Sequence, residues 1–274
     1  MEYNPDGHNY QLPSDSRWRK MVFWSPTWGC SPISEGCLHC SSAKSVSSDL
    51  VIWKNGEPHF NGTVILDEEE FSDVEFFREN EQVFVCGCSD MFHEKVPIEY
   101  SRRIMNAAKL RPDCTFFGLT KRASRMAQAC HDFIVPKNFW LGVTIESQKR
   151  INRILSFKNI DAIRVVSFKP LLSEINLRPY KELMDMVIVG GEYNYNNLDW
   201  SRPMSLNWVR SIRDQCLEMN IPFSFHNWGS WVPCNNGDRF DKIFHGFPMR
   251  YHNNESSDPY LLDGKIWDEY PDHC

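Results

Sequence analysis

Cys30, Cys37 and Cys40 stand in a C-x6-C-x2-C spacing within the stretch WSPTWGCSPISEGCLHCSSA. Thiolates are strong ligands for iron and zinc, and Gly29, Pro32 and Gly36 let the loop fold back so that three sulfurs converge. A structural zinc is normally closed by four protein ligands, so three leave one position open to a reactant. If the sulfurs anchor three irons of a four-iron, four-sulfur (4Fe-4S) cluster, the fourth iron stays open. S-adenosyl-L-methionine would chelate that iron through its amino and carboxylate groups, and one electron would cleave the sulfonium to a 5′-deoxyadenosyl radical. Two alternatives stand beside this: a zinc knuckle completed by His39 or Cys88, and unrelated buried cysteines.

Polar residues that end apolar runs form a second set of candidates. Ser89 and Asp90 follow QVFVCGC and suit the amino group or ribose of such a cosubstrate, or the cap of a helix. His93, just beyond, reads as a packed or surface histidine. Thr120, Lys121 and Arg122 follow TFFGL, where a cation suits a carboxylate or phosphate and the plainer reading is a solvated helix start. Glu146 ends LGVTIE and can accept ribose hydroxyls or an ammonium hydrogen. Ser167 occupies the corresponding place in IRVVSFKP. Ser89, Asp90, Thr120, Lys121, Glu146 and Ser167 are therefore assigned to the cosubstrate, and Lys169, Glu192, Arg202, His226 and Asn227 to substrate binding or catalysis. Gly190 and Gly191, before Glu192, would let a ligand approach the backbone. There is no Gly-rich phosphate loop and no Ser-His-Asp set.

Such groups need a scaffold that gathers strand ends. From Glu81 onward QVFVCGC, TFFGLT, FWLGVTIE, IRVVSFKP, MVIVGGE and IPFSFHNWG alternate with helical stretches, and each reads as a buried parallel strand. Between them, Ile98, Ile104, Ala107, Ala108 and Leu110 share a helical face behind Pro97; Ile151, Ile154 and Leu155, and Trp208, Ile212 and Cys216, are similarly spaced. With KMVFWSP and GTVILD added, the pattern predicts an α/β fold, a complete or partial (β/α) barrel, with a doubly wound sheet as runner-up. The 274 residues read as one domain, with an irregular, acidic insertion at about 45–80 and an extended tail at about 235–274 that wraps the barrel or stays mobile. A net charge of −6 argues against broad nonspecific nucleic-acid binding. No apolar run is long enough to cross a membrane, and the polar N-terminus predicts a cytoplasmic chain whose cysteines stay reduced.

The blocks TWGCSPISEGCLHC, CSDMFHEKVP, LTKRASRM, WLGVTIES, VVSFKPLL, VIVGGE, SRPMSLNWVRSIRDQC and IPFSFHNWG resemble, in order, those of the phage-associated three-cysteine-motif family of the radical SAM superfamily. The resemblance implies a barrel of the radical SAM type, a 4Fe-4S cluster on Cys30, Cys37 and Cys40, S-adenosyl-L-methionine as cosubstrate, and an external electron donor. It implies hydrogen abstraction from an organic substrate, with a modified or damaged base in DNA, or a nucleotide, as the expected class, in the host cytoplasm for a phage-encoded chain. Three positions depart from the family: Ser41 stands where an aromatic residue is usual, Lys169 where Glu is usual, and His226 where Lys is usual. The last two suggest a charge exchanged between two walls of one pocket. A noncatalytic zinc-binding nucleic-acid module is the alternative, and the lack of a basic surplus counts against it.

Overall fold

Val, Ile and Phe dominate the runs that become strands, and the computed structural model, which describes residues 21–194, 201–234, 238–251 and 259–271, places seven of them in one sheet. The N-terminal stretch and the remaining parts of the tail lie outside the described residues. The chain divides into two units, Met1–Val143 with Arg153–Val165 and Thr144–Asn152 with Val166–Cys274.

The first unit opens with β1 (Met21–Trp24) and the short β2 (Thr27–Trp28). A hairpin follows, β3 (Val51–Lys54) and β4 (Glu57–Phe60), then β5 (Ile65–Leu66) and β6 (Gln82–Val85). Next come α1 (Ile98–Ala107), β7 (Thr115–Thr120), α2 (Ala123–Cys130) and β8 (Phe139–Thr144). The ladders β1·β6, β6·β7 and β7·β8 are all parallel. Every residue of β8 is buried, as a strand covered on both faces requires. Pro97 directly precedes α1, whose buried face is Tyr100, Ser101, Ile104, Met105 and Ala107; Leu110, expected on that face, is 60% exposed beyond the helix end.

The second unit holds β9 (Arg164–Phe168), β10 (Met186–Gly190), α3 (Leu206–Met219), β11 (Phe223–Asn227), β12 (Trp231–Pro233), β13 (Lys242–Phe244) and β14 (Phe247–Tyr251). Strands β10 and β11 are parallel. Ile212 and Cys216 are buried on α3. The unpaired backbone of an edge strand is a template for unwanted pairing. In β11 it is covered by the chain's own tail: Ser224 bridges Asp268, and the Phe225 N–H donates to the Trp267 carbonyl at 2.9 Å. Strands β12, β14 and β13 form a small antiparallel sheet.

The main sheet runs β1-β6-β7-β8-β9-β10-β11, a parallel half-barrel. The partial barrel is thus the form adopted. GTVILD does not supply an eighth strand, because β5 pairs antiparallel with β2 instead. The insertion is more ordered than its composition suggests: Asn55 and Gly56, with φ of 51° and 82°, make the two-residue turn that joins β3 to β4. A 3-10 helix spans Glu69–Phe76 within it. The Gln148–Phe157 stretch is also 3-10, with Ile151 and Ile154 buried and Leu155 exposed.

Candidate functional site

The cysteine loop leaves β1 at its C-terminal end, where parallel α/β sheets gather functional groups. Gly29 bridges Ser89 beyond β6, and its φ is 82°. A Cβ there would lie 2.2 Å from the Thr63 carbonyl oxygen, so the loop passes a segment that only glycine can approach. The Gly62 N–H donates to the Cys30 carbonyl at 3.0 Å. Ala43, Val51 and Phe60 make a small apolar core on which Cys30, Cys40 and Val46 pack, and Lys44 pairs with Glu57 at 2.8 Å. The hairpin is therefore a wall of the cysteine loop. A cavity of about 520 Å³ lies there, lined by Ser31, Cys37, Leu38, Ile52, His59 and Phe60 among others.

Cys30, Cys37 and Cys40 are half-buried and unbridged. Burial, reinforced by Asp90 and opposed by Arg122, pushes Cys30 up to about 12, and the other two thiols add to the effect. Burial also opposes ionisation of Cys37, but the Lys121 charge and hydrogen bonds from Ile33 and Ser34 outweigh it and hold that thiol below its ordinary value. Cys40 is raised by burial against the same Lys121. The sulfurs sense one another, yet no three His, Cys, Asp or Glu among the described residues gather around a single ion.

Arg122 is the hub of this site. Its Nε donates to Glu94 Oε2 at 2.7 Å, Nη1 to Asp90 Oδ2 at 3.0 Å, and Nη2 to the carbonyl and hydroxyl oxygens of Ser31 at 3.0 and 2.9 Å. Nη1 also faces Cys30 Sγ at 3.7 Å. Burial disfavours the guanidinium charge, but Asp90, Cys30 and Glu94 together raise its pKa. Asp90 is buried and fully engaged, accepting from the Phe92 N–H at 3.0 Å and from the Thr120 hydroxyl at 2.8 Å. Thr120 Oγ1 in turn accepts from the Arg122 N–H at 2.8 Å. The Lys95 N–H donates to His93 Nδ1 at 3.1 Å, which leaves Nε2 to donate to Ser31 Oγ at 2.7 Å. Burial, then Arg122, keeps His93 below its ordinary value. Ser89 donates to the Thr27 carbonyl at 2.6 Å.

Ser89, Asp90, Thr120 and Lys121 thus come together around the cysteines. Sequence reasoning underrated Arg122 and did not single out Ser31, His93 or Glu94 as a connected set. The one signal for them was a cation pair just past a strand end, which does not say which of the two cations turns inward.

In the second unit, the Glu146 carbonyl accepts from the Leu172 N–H at 2.7 Å and the Ser167 carbonyl from the Ile145 N–H at 2.8 Å; both side chains are buried. Lys169 Nζ donates to His226 Nδ1 at 2.5 Å, so two of the three positions that depart from the pattern the sequence resembles meet directly. Burial first and the Lys169 charge second hold His226 well below its ordinary value, so the pair is an ammonium against a neutral ring. Arg202 grips the buried Glu192 through Nε and its backbone N–H, both at 2.9 Å, and through Nη2. Glu192 and Arg202 therefore serve each other. Asn227 Oδ1 accepts from the Gly229 N–H at 3.1 Å. The glycines before Glu192 admit protein where a ligand was expected: the Lys169 side chain lies over Gly190, and a Cβ on Gly191 would sit 1.9 Å from the Trp228 carbonyl oxygen.

A parallel α/β half-barrel with three free thiols at the end of its first strand is the class that fold and site define. Residues 14–271 match the family described as Protein of unknown function (DUF5131), and the chain belongs to that family. No curated protein matches the sequence. Among solved structures, a mutant spore photoproduct lyase with bound AdoMet and dinucleoside spore photoproduct is similar at 11% identity and a TM-score of 0.41, covering 84% of this chain and 68% of that one. Spore photoproduct lyase complexed with dinucleoside spore photoproduct gives 11% identity, a TM-score of 0.40, and coverage of 83% and 67%.

Proposed function

We propose that this chain is a radical S-adenosyl-L-methionine enzyme in which Cys30, Cys37 and Cys40 hold a 4Fe-4S cluster. The observation that carries the reading is a set of three unbridged thiols at the C-terminal end of β1 with two cations, Lys121 and Arg122, drawn against them. This donor set fits the group: the thiols bind as thiolates, and fixed positive charge beside them offsets the accumulated negative charge. When bound, such a cluster supplies the electron that cleaves S-adenosyl-L-methionine to a 5′-deoxyadenosyl radical.

The protein's own residues then divide the remaining work. Lys121 and Arg122 favour deprotonation of the thiols, while Asp90, Thr120 and Ser89 fix the loops that carry them. Glu146 and Ser167 are assigned to the cosubstrate, and Lys169, His226, Asn227 and the Glu192–Arg202 pair to an organic substrate. A base in DNA, or a nucleotide, is the substrate class that the sequence resemblance supports, and the electron comes from an external donor.

Anaerobically purified protein is expected to be brown, with about four irons per chain. Ala at Cys30, Cys37 or Cys40 should abolish iron binding, because each thiolate anchors a different iron. Cys216→Ala, buried on α3, should leave the iron content unchanged. One tightly held zinc and no iron would instead establish the zinc-module alternative.

A further inference from the structure

We infer that Arg122 is a positioning residue with two separable roles: it clamps the Cys30–Ser31 backbone, and it neutralises buried Asp90 so that no bare carboxylate faces the metal cluster. The inference rests on the reading of the cysteine loop as a cluster site.

The guanidinium divides its donors between two masters. Nε and one donation from Nη1 go to carboxylates, whereas the remaining contacts go to the loop, at the Ser31 carbonyl, the Ser31 hydroxyl and Cys30 Sγ. A planar fork can satisfy such a set in one rotamer; a lysine ammonium is a point charge and cannot. The clamp therefore depends on shape as well as charge.

Its electrostatic role follows from which neighbours are buried. The Glu94 side chain is 57% exposed, so water screens it, but the Asp90 side chain is 5% exposed and, among the described residues, is paired with Arg122. Asp90 itself is indispensable to the turn, where it holds the Phe92 N–H and the Thr120 hydroxyl. A carboxylate is thus fixed near Cys30 for structural reasons, and its repulsion falls on any group that must accept an electron there. Arg122 Nη1 touches both Asp90 and Cys30 and offsets that repulsion.

The proposal separates charge from shape in three variants. Arg122→Gln removes the cation and leaves Asp90 bare, Arg122→Lys keeps a charge and loses the fork, and Asp90→Asn/Arg122→Gln removes both charges. Reconstituted protein would be followed by iron content, by an EPR-monitored redox titration, and by the rate of iron loss to a chelator. Arg122→Gln should make the cluster harder to reduce, at least tenfold in the one-electron equilibrium or about 59 mV more negative. Arg122→Lys and the double variant should stay near the wild-type potential. All three should release iron several-fold faster, since none retains the clamp. The double variant also keeps the test open if Arg122→Gln fails to fold.

A potential unchanged in Arg122→Gln, or shifted equally in the double variant, overturns the electrostatic role. Wild-type rates of iron loss in all three overturn the clamp. Either result in a wild-type protein that carries iron leaves the cluster reading intact, whereas wild-type protein that takes up no iron removes both.

Discussion

Asp90 shows how a residue chosen for a ligand can be committed to the protein first. Its carboxylate joins Phe92, Thr120 and Arg122, and Asp90→Ala would strand the buried guanidinium. Breaking a buried pair from one side costs about 3 to 5 kcal/mol. Urea unfolding of Asp90→Ala should show a loss of that order; a loss below about 1 kcal/mol would mean that water or another group already satisfies Arg122. His226 makes a different prediction. Its folded pKa lies well below the ordinary value while the unfolded ring titrates at about 6.5, so on acidification the unfolded chain takes the proton first. Stability from this group is complete above that pH and falls as pH drops below it, by at most about 1.4 kcal/mol per pH unit. His226→Asn should therefore lose less stability than wild type between pH 7 and 5 in denaturant titrations. Identical losses would show that burial and the Lys169 charge do not hold the ring neutral.

At the level of elements, close backbone packing fixes the ends of β10 and β11. A Cβ at residue 191 would collide with the Trp228 carbonyl, and on the other side Gly229, with φ of 78°, already lies against Glu192. Gly191→Ala should leave little folded protein at 37 °C, and a melting temperature within a few degrees of wild type would contradict the close packing. The alternation of apolar runs and helical stretches made the six strands after Glu81 legible, because buried parallel strands are continuous in hydrophobicity. The β3–β4 hairpin was less legible: β3 has only three apolar residues before Lys54, Trp53 among them is exposed, and the buried Glu57 pairs with Lys44. The Asn55-Gly56 turn was the available local signal. That the hairpin walls the cysteine loop depends on long-range contacts, among them Gly62 with the Cys30 carbonyl, which no local pattern encodes.

For the molecule as a whole, the three-cysteine spacing and the strand ends pointed to a site at the C-terminal ends of parallel strands, and the thiols do lie at the end of β1. The inward turn of Arg122 was not legible, since Lys121 and Arg122 are equivalent in sequence and only the fold buries one of them beside Asp90. The tail is expected from the sequence to wrap the barrel or stay mobile, but which strand it meets was not legible, because backbone pairing from Trp267 and Asp268 needs no hydrophobic periodicity. In the function proposed above, these parts serve a reductive cleavage of S-adenosyl-L-methionine. The direct test is anaerobic incubation of reconstituted protein with S-adenosyl-L-methionine and dithionite, followed by chromatography of the nucleoside products. Formation of 5′-deoxyadenosine by wild type, lost in Cys30→Ala, Cys37→Ala and Cys40→Ala and retained in Cys216→Ala, is the expected result. Intact S-adenosyl-L-methionine after incubation with fully iron-loaded, reduced protein would contradict it.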